Sequence, residues 1–206
     1  MDMGMFLLGI SALTAGLIAT GIIRNRRFKR RQDQHQQLAS RLGMQLAYMN
    51  EQQATWYGNY RSYPLRIETV LIPVPGPRGR ALHRPALRFA LPMHNPSLNA
   101  LRIARRHPDA PWLDSIAQPD RPMTFAHGIA PWLDIQSNNM LFASLVLSED
   151  LKISLYDVFS RLEAGLMFIY DDEMVFLYPG LLPDSSDLSL MLKIADLLCD
   201  TKDQLN

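Results

Sequence analysis

The sequence predicts an α+β protein: an N-terminal transmembrane helix, then an antiparallel sheet of hairpins with helices packed on one face. Three observations predict it. Residues 5–23, MFLLGISALTAGLIATGII, hold no charge and no proline, and RNRRFKRR follows at once. Strand-like runs of alternating polarity come in pairs near both ends of the remaining chain. Two amphipathic helical patterns flank the second pair.

The first element is the apolar run. Nineteen residues in a helix span about 28 Å, close to one hydrocarbon core. A cleaved signal peptide is the rival, but MDMGM lacks a positive n-region and the apolar run is long for one. The positive charges follow the run, so residues 1–4 are expected outside and everything after residue 23 in the cytoplasm. This predicts a single pass of a bacterial inner membrane. Gly9, Ala12, Gly16 and Thr20 fall on one face of the helix, where small residues admit a second membrane helix, its own copy or another membrane protein. Arg24, Arg26, Arg27, Lys29, Arg30 and Arg31 form the collar. They set topology and are placed to meet anionic lipid at the cytoplasmic face. A nucleic-acid role for this basic run is not needed to explain it.

A basic juxtamembrane helix is expected over residues 24–43, with Leu38 and Leu42 on one face and Gly43 as its stop. Residues 44–206 then form one α+β domain. MQLAYM, TWYGNY and PLRIETVLI read as strands, and Arg61-Ser62-Tyr63 as the turn of a hairpin. Residues 73–122 hold ten of the fourteen prolines, so this Pro/Arg-rich middle is expected to be irregular. Ala86–Pro92 and Leu98–Ala104 are its two plausible strands. Met140–Leu147 is helical or extended. Ser148 is an N-cap, and Leu151, Leu155, Val158, Phe159 and Leu162 mark the apolar face of the helix it starts. Leu166–Tyr170 and Met174–Tyr178 form a second hairpin around Asp171-Asp172-Glu173. Leu188–Thr201 is the last helix.

Charge is unevenly spread. Residues 24–31 carry six bases. Residues 32–133 hold eleven arginines against six acids, and residues 134–206 hold thirteen acids against four bases. Two readings fit: a dipole that orients the domain over an anionic leaflet, or charges that neutralise one another across the fold. The single cysteine, Cys199, excludes an internal disulfide and lies in an apolar helical stretch.

The short motifs carry a resemblance. YGNYRSYPLRIE (57–68) and YPGLLPDSSDLSLMLKIADLL (178–198), behind a single span and a basic helix, resemble a loose group of uncharacterised bacterial single-span membrane-anchored proteins. The resemblance implies a cytoplasmic α+β domain at a bacterial inner membrane. It implies no activity and no cofactor.

A search for chemistry finds little. His35, His83, His94, His107 and His127 show no metal-binding spacing, and neither G-x-S-x-G nor G-x-x-x-x-G-K-[ST] occurs. No catalytic residue, cofactor or metal site is therefore expected. One pentapeptide, APWLD, stands twice, at 110–114 and 130–134. Trp112 and Trp132 are either apolar plugs under loops or anchors for a partner, with Arg102, Arg105 and Arg106 as the polar surround. The function expected is a non-catalytic interaction protein, an accessory subunit or scaffold at the membrane's inner face. The alternative is a tethered binding or sensor module that takes an anionic ligand or lipid headgroup on the arginines of residues 78–106.

Overall fold

The computed structural model describes residues 22–205, except 24, 27, 31, 50–52, 76–79, 96, 106, 109, 110, 126–128 and 181–187. Helix α1 occupies residues 32–42, and the described residues between 22 and 30 are also helical. The strands are β1 (Gln45–Met49), β2 (Ala54–Tyr60), β3 (Tyr63–Pro75), β4 (Ala81–Pro92), β5 (Leu101–Arg105), β6 (Met123–Thr124), β7 (Leu133–Ser137), β8 (Gly165–Tyr170) and β9 (Glu173–Pro179). A 3-10 helix covers Pro111–Ser115, and α2 (Met140–Val146), α3 (Glu149–Ser160) and α4 (Leu188–Leu205) complete the chain. All the strand pairs are antiparallel, in the order β1-β2-β3-β4-β9-β8-β5-β7-β6.

Strand alternation divides the sheet into two faces. Trp56, Ile67, Phe89, Ile103, Met167 and Phe176 point to one side and form the main core with Leu38, Leu42, Val146, Leu155, Phe159, Ile194 and Leu198 of the helices. Alternate residues, Ala86, Ala90, Ala104, Leu166, Val175 and Leu177, build a smaller core on the opposite side with Trp112 and Leu113. Helix α1 is docked through Trp56, whose Nε1 donates to the His35 carbonyl at 3.2 Å and whose ring stacks on His35. It stops at Gly43, which takes φ +63°, the left-handed conformation glycine adopts without strain. Two bonds close its end, from Gly43 N to Ser40 O and from Met44 N to Ala39 O.

The hairpin at Arg61 and Ser62 is present, with both residues at positive φ, 49° and 71°. A two-residue turn of this hand matches strand twist but normally uses Asn or Gly. Here side-chain bonds offset the cost. Arg61 reaches Asp200 at 2.6 Å and Asp203 at 3.3 Å, and the hydroxyls of Tyr60 and Tyr63 donate to Asp196 and Asp203. The turn is thus tied to α4.

The Pro-rich middle is more regular than its composition predicts. β3 and β4 form one long hairpin, paired from Arg66↔Ala90 to Pro75↔Ala81. β9 covers β4 only from Ala86 onward, so residues 81–85 pair with β3 alone. Pro73, Pro75 and Pro85 fall in this two-stranded ribbon, where a missing N–H does not break a central ladder.

The membrane expectation is corrected. Among the described residues no helix is long and apolar enough to cross a membrane. The described stretch from residue 22 carries Arg26, Lys29, Arg30, Asp33 and Arg41, charges too costly to bury in hydrocarbon. The N-terminal transmembrane helix and the single-pass inner-membrane placement therefore do not stand. Residues 1–21, with Gly9, Ala12, Gly16 and Thr20, and the collar residues Arg24, Arg27 and Arg31, lie outside the described residues. Arg26, Lys29 and Arg30 are exposed on the helix.

Candidate interaction surface

The two APWLD copies fold differently and meet at one arginine. In the first, Pro111–Ser115 forms the 3-10 helix, with Trp112 at 8% exposure and Leu113 at 1%. In the second, Pro131 and Trp132 make a turn and Leu133-Asp134 open β7. Arg102 of β5 lies between them, fully buried. Its Nη2 donates to the Leu113 carbonyl at 2.9 Å, Nε to the Ile116 carbonyl at 3.2 Å and Nη1 to Asp134 Oδ2 at 3.1 Å. Asp114 Oδ1 stands 3.5 Å from Nη2. Each pentapeptide thus delivers its aspartate to the same guanidinium. Arg102 is a clamp that holds the 3-10 helix on the sheet.

This changes the roles of the arginine and tryptophan residues singled out in the sequence. Arg102 and Trp112 are buried inside the fold, so neither presents a surface to a partner. The plug reading describes Trp112. Arg106 lies outside the described residues. Arg105 and Trp132 are half-buried and belong to a different cluster.

Arg105 Nη1 donates to the carbonyls of Phe159 at 2.6 Å and Ser160 at 3.1 Å, which caps the last turn of α3. The same guanidinium lies 4.7 Å from the centroid of the Trp132 ring, a cation–π distance. Trp132 in turn meets Tyr156 of α3, with ring centroids 5.8 Å apart and planes tilted by 44°. One turn earlier on α3 stands Ile153. Tyr156 is 51% exposed and Ile153 69%. The result is a continuous strip of one arginine, two aromatics and an isoleucine along the outer side of α3.

Helix α2 adds a second apolar edge. Asn139 caps it by accepting from Leu141 N and Phe142 N, and Phe142, Ala143 and Val146 face the core. That leaves Leu141 and Leu145, four residues apart, at 84% and 60% exposure. Sequence reasoning missed Ile153, Tyr156, Leu141 and Leu145. For α3 the signal was present, because Ile153 and Tyr156 fall off the stripe of Leu151, Leu155, Val158 and Phe159 that faces the core. For α2 the unbroken apolar run concealed which residues were outside.

Arg88, Asp172 and Cys199 are engaged in structure. Arg88 bridges Glu68 at 2.7 Å and Glu173. Asp172 Oδ1 accepts from Asn95 N, fixing the β8–β9 turn. Cys199 Sγ lies 3.7 Å from the Tyr60 carbonyl, and burial, reinforced by Asp196, Asp203 and Asp200 against Arg61, pushes its thiol up to about 11. That keeps it protonated and a poor nucleophile.

Among the described residues, the fold and this surface define an α+β protein with a nine-stranded antiparallel sheet and an outward apolar helix layer. No protein-family model and no curated protein matches the chain. A solved structure, the crystal structure of the mycobacterial trehalose monomycolate transport factor A, TtfA, is similar over 80% of this chain and 92% of that one. The identity is 13% and the TM-score 0.47, a level that assigns neither activity nor partner.

Proposed function

We propose that the chain is a non-catalytic interaction protein, an accessory subunit or scaffold that docks another protein on the outer side of α2 and α3. The observation that supports this reading is the strip Arg105–Trp132–Tyr156–Ile153. Tryptophan, tyrosine and arginine are the side chains that dominate protein–protein binding energy. Here they are pre-positioned against one another along α3, whose end Arg105 caps, which lowers the ordering cost of association. Exposed apolar side chains grouped on one layer are a mark of contact surfaces.

The test is a quantitative affinity capture of the full chain, compared with Ile153→Asp and with Tyr156→Ser. Both positions are more than half exposed, so unfolding free energies should change by no more than about 0.5–1 kcal/mol. Loss of the same co-purifying protein from both variants, at unchanged stability, is the expected result. An identical set of captured proteins from all three chains would sink the proposal.

A further inference from the structure

A separate cleft lies beyond the C-terminal end of α3. It opens where three chain segments end together. β9 finishes at Pro179 and Gly180, and Gly180 N donates to the Pro85 carbonyl of β4 at 2.9 Å. Helix α3 finishes at Arg161 and Leu162. The 3-10 helix brings in Trp112 from the smaller core. The space enclosed is about 440 Å³, within the usual size range for small-molecule sites.

Its walls are of two kinds. Trp112, Leu162, Ala164 and Leu190 line it and are each less than a tenth exposed, with Tyr178 beside them. The rim carries Arg84, Arg161 and His107, against one acid, Glu163. Arg84 differs from the ion-paired arginines of the fold. Arg61, Arg66, Arg88 and Arg102 each pair with a carboxylate, whereas Arg84 is exposed and makes no ion pair among the described residues. Arg161 binds Asp157 through Nε and Nη2, which leaves Nη1 without a partner among the described residues. Two guanidinium groups with donors to spare thus stand over an apolar floor. Both arginines are exposed to water, so it is two charge-assisted bonds acting together that hold a bound carboxylate.

We propose that this cleft binds a small organic anion with an apolar body, its carboxylate held by Arg84 and Arg161 and its hydrocarbon part laid on Trp112, Leu162 and Leu190. The floor selects against small hydrated anions, which gain nothing from it. The arginines select against neutral and cationic amphiphiles, which bring no anion to Arg84 or to the spare Arg161 donor.

The test is isothermal titration of the full chain with decanoate, decanol, acetate and inorganic phosphate, each below its aggregation limit. Decanoate should bind roughly tenfold or more tightly than decanol or acetate, the size expected for losing one good contact. Arg84→Gln should weaken decanoate binding by about the same factor and leave the melting temperature unchanged. Ile153→Asp, at a residue that does not line the cleft, should leave decanoate binding intact. Equal binding of decanoate and decanol, or decanoate binding indifferent to Arg84→Gln, would overturn the proposal. Phosphate binding as tight as decanoate, with the same Arg84 dependence, would overturn the amphiphile and leave a plain anion site. Heat absent from every titration at two well-separated temperatures would overturn the site altogether.

Discussion

Replacing Arg102 by leucine is the sharpest test of how the sheet's second face is held. The change keeps an apolar stem of similar reach and removes three donors at once. The carbonyls of Leu113 and Ile116 and the Asp134 carboxylate, only 14% exposed, lose those bonds; the Leu113 carbonyl still accepts from Ile116 N at 3.2 Å, so the Ile116 carbonyl and the carboxylate carry the cost. A buried acceptor left unmade costs about 1–3 kcal/mol, and removing one side of a buried ion pair costs about 3–5 kcal/mol. Asp134 keeps the Gln136 Nε2 donor at 3.0 Å, so the loss should sit near the lower end, about 3–4 kcal/mol. That is a large part of a typical stability of about 5–15 kcal/mol. Arg102→Lys should lose less, about 1–2 kcal/mol, because an ammonium keeps the charge but cannot span acceptors on three sides. The double change Arg102→Leu with Asp134→Leu should recover much of the loss, since no unpaired charge then remains buried. Urea unfolding by circular dichroism measures all three, and limited proteolysis should show new cleavage within residues 111–118. A loss below about 1 kcal/mol for Arg102→Leu, with an unchanged denaturant slope, would refute the clamp.

Two further predictions concern the other side of the sheet. A Cβ added at Gly58 would lie 3.0 Å from Met44 Cα, a backbone atom that cannot rotate away, so Gly58→Ala should cost about 1–3 kcal/mol through strain at the α1–β1 junction, read as a fall in melting temperature; a neutral effect would show that the junction yields. Burial raises the Cys199 thiol from 9.0 to about 11, so the folded chain holds a proton that the unfolded chain releases. This contribution is whole below pH 9 and is lost as pH rises from about 9 towards 11. Stability should therefore fall over that window, and Cys199→Ala should flatten the fall; an unchanged slope would reject the assignment.

Local features of the fold were readable in the sequence and long-range ones were not. The Ser148 cap, the apolar stripe of α3, the Arg61 turn and the β8–β9 hairpin each depend on neighbours a few residues away, and each is where the pattern puts it. The insertion of β5 between β8 and β7 depends on partners dozens of residues apart and leaves no local trace. The β3–β4 ribbon was hidden because proline content was read as irregularity, when at a two-stranded ribbon it is tolerated. Of the candidate site, Trp132 and Arg105 were found by residue type alone. Their partner Tyr156 was not, because a cluster made by β5, the β7 turn and α3 exists only after folding. Arg102 was misplaced for a related reason: an arginine in a Pro-rich stretch has the profile of a surface residue until its two aspartates arrive from separate pentapeptides.

The same logic separates the two readings of the charge pattern. The arginine surplus of residues 32–133 and the acid surplus of residues 134–206 are joined in space by Arg61 with Asp196, Asp200 and Asp203, by Arg88 with Glu173 and by Arg102 with Asp134. Each pair links the first part of the chain to the last. Strand order requires this, since β4 lies against β9 and the β2–β3 turn against α4. The described pairs therefore account for much of the polarity as neutralisation across the fold. Partly buried pairs of this kind do little for net stability, but a wrong register would leave them broken and costly, so they favour one arrangement of the two halves. It follows that an arginine's presence in the basic middle says little about ligands. What matters is whether the fold supplies its carboxylate. Arg84, which has none among the described residues and stands at an apolar cleft, is one position where that surplus charge is left available.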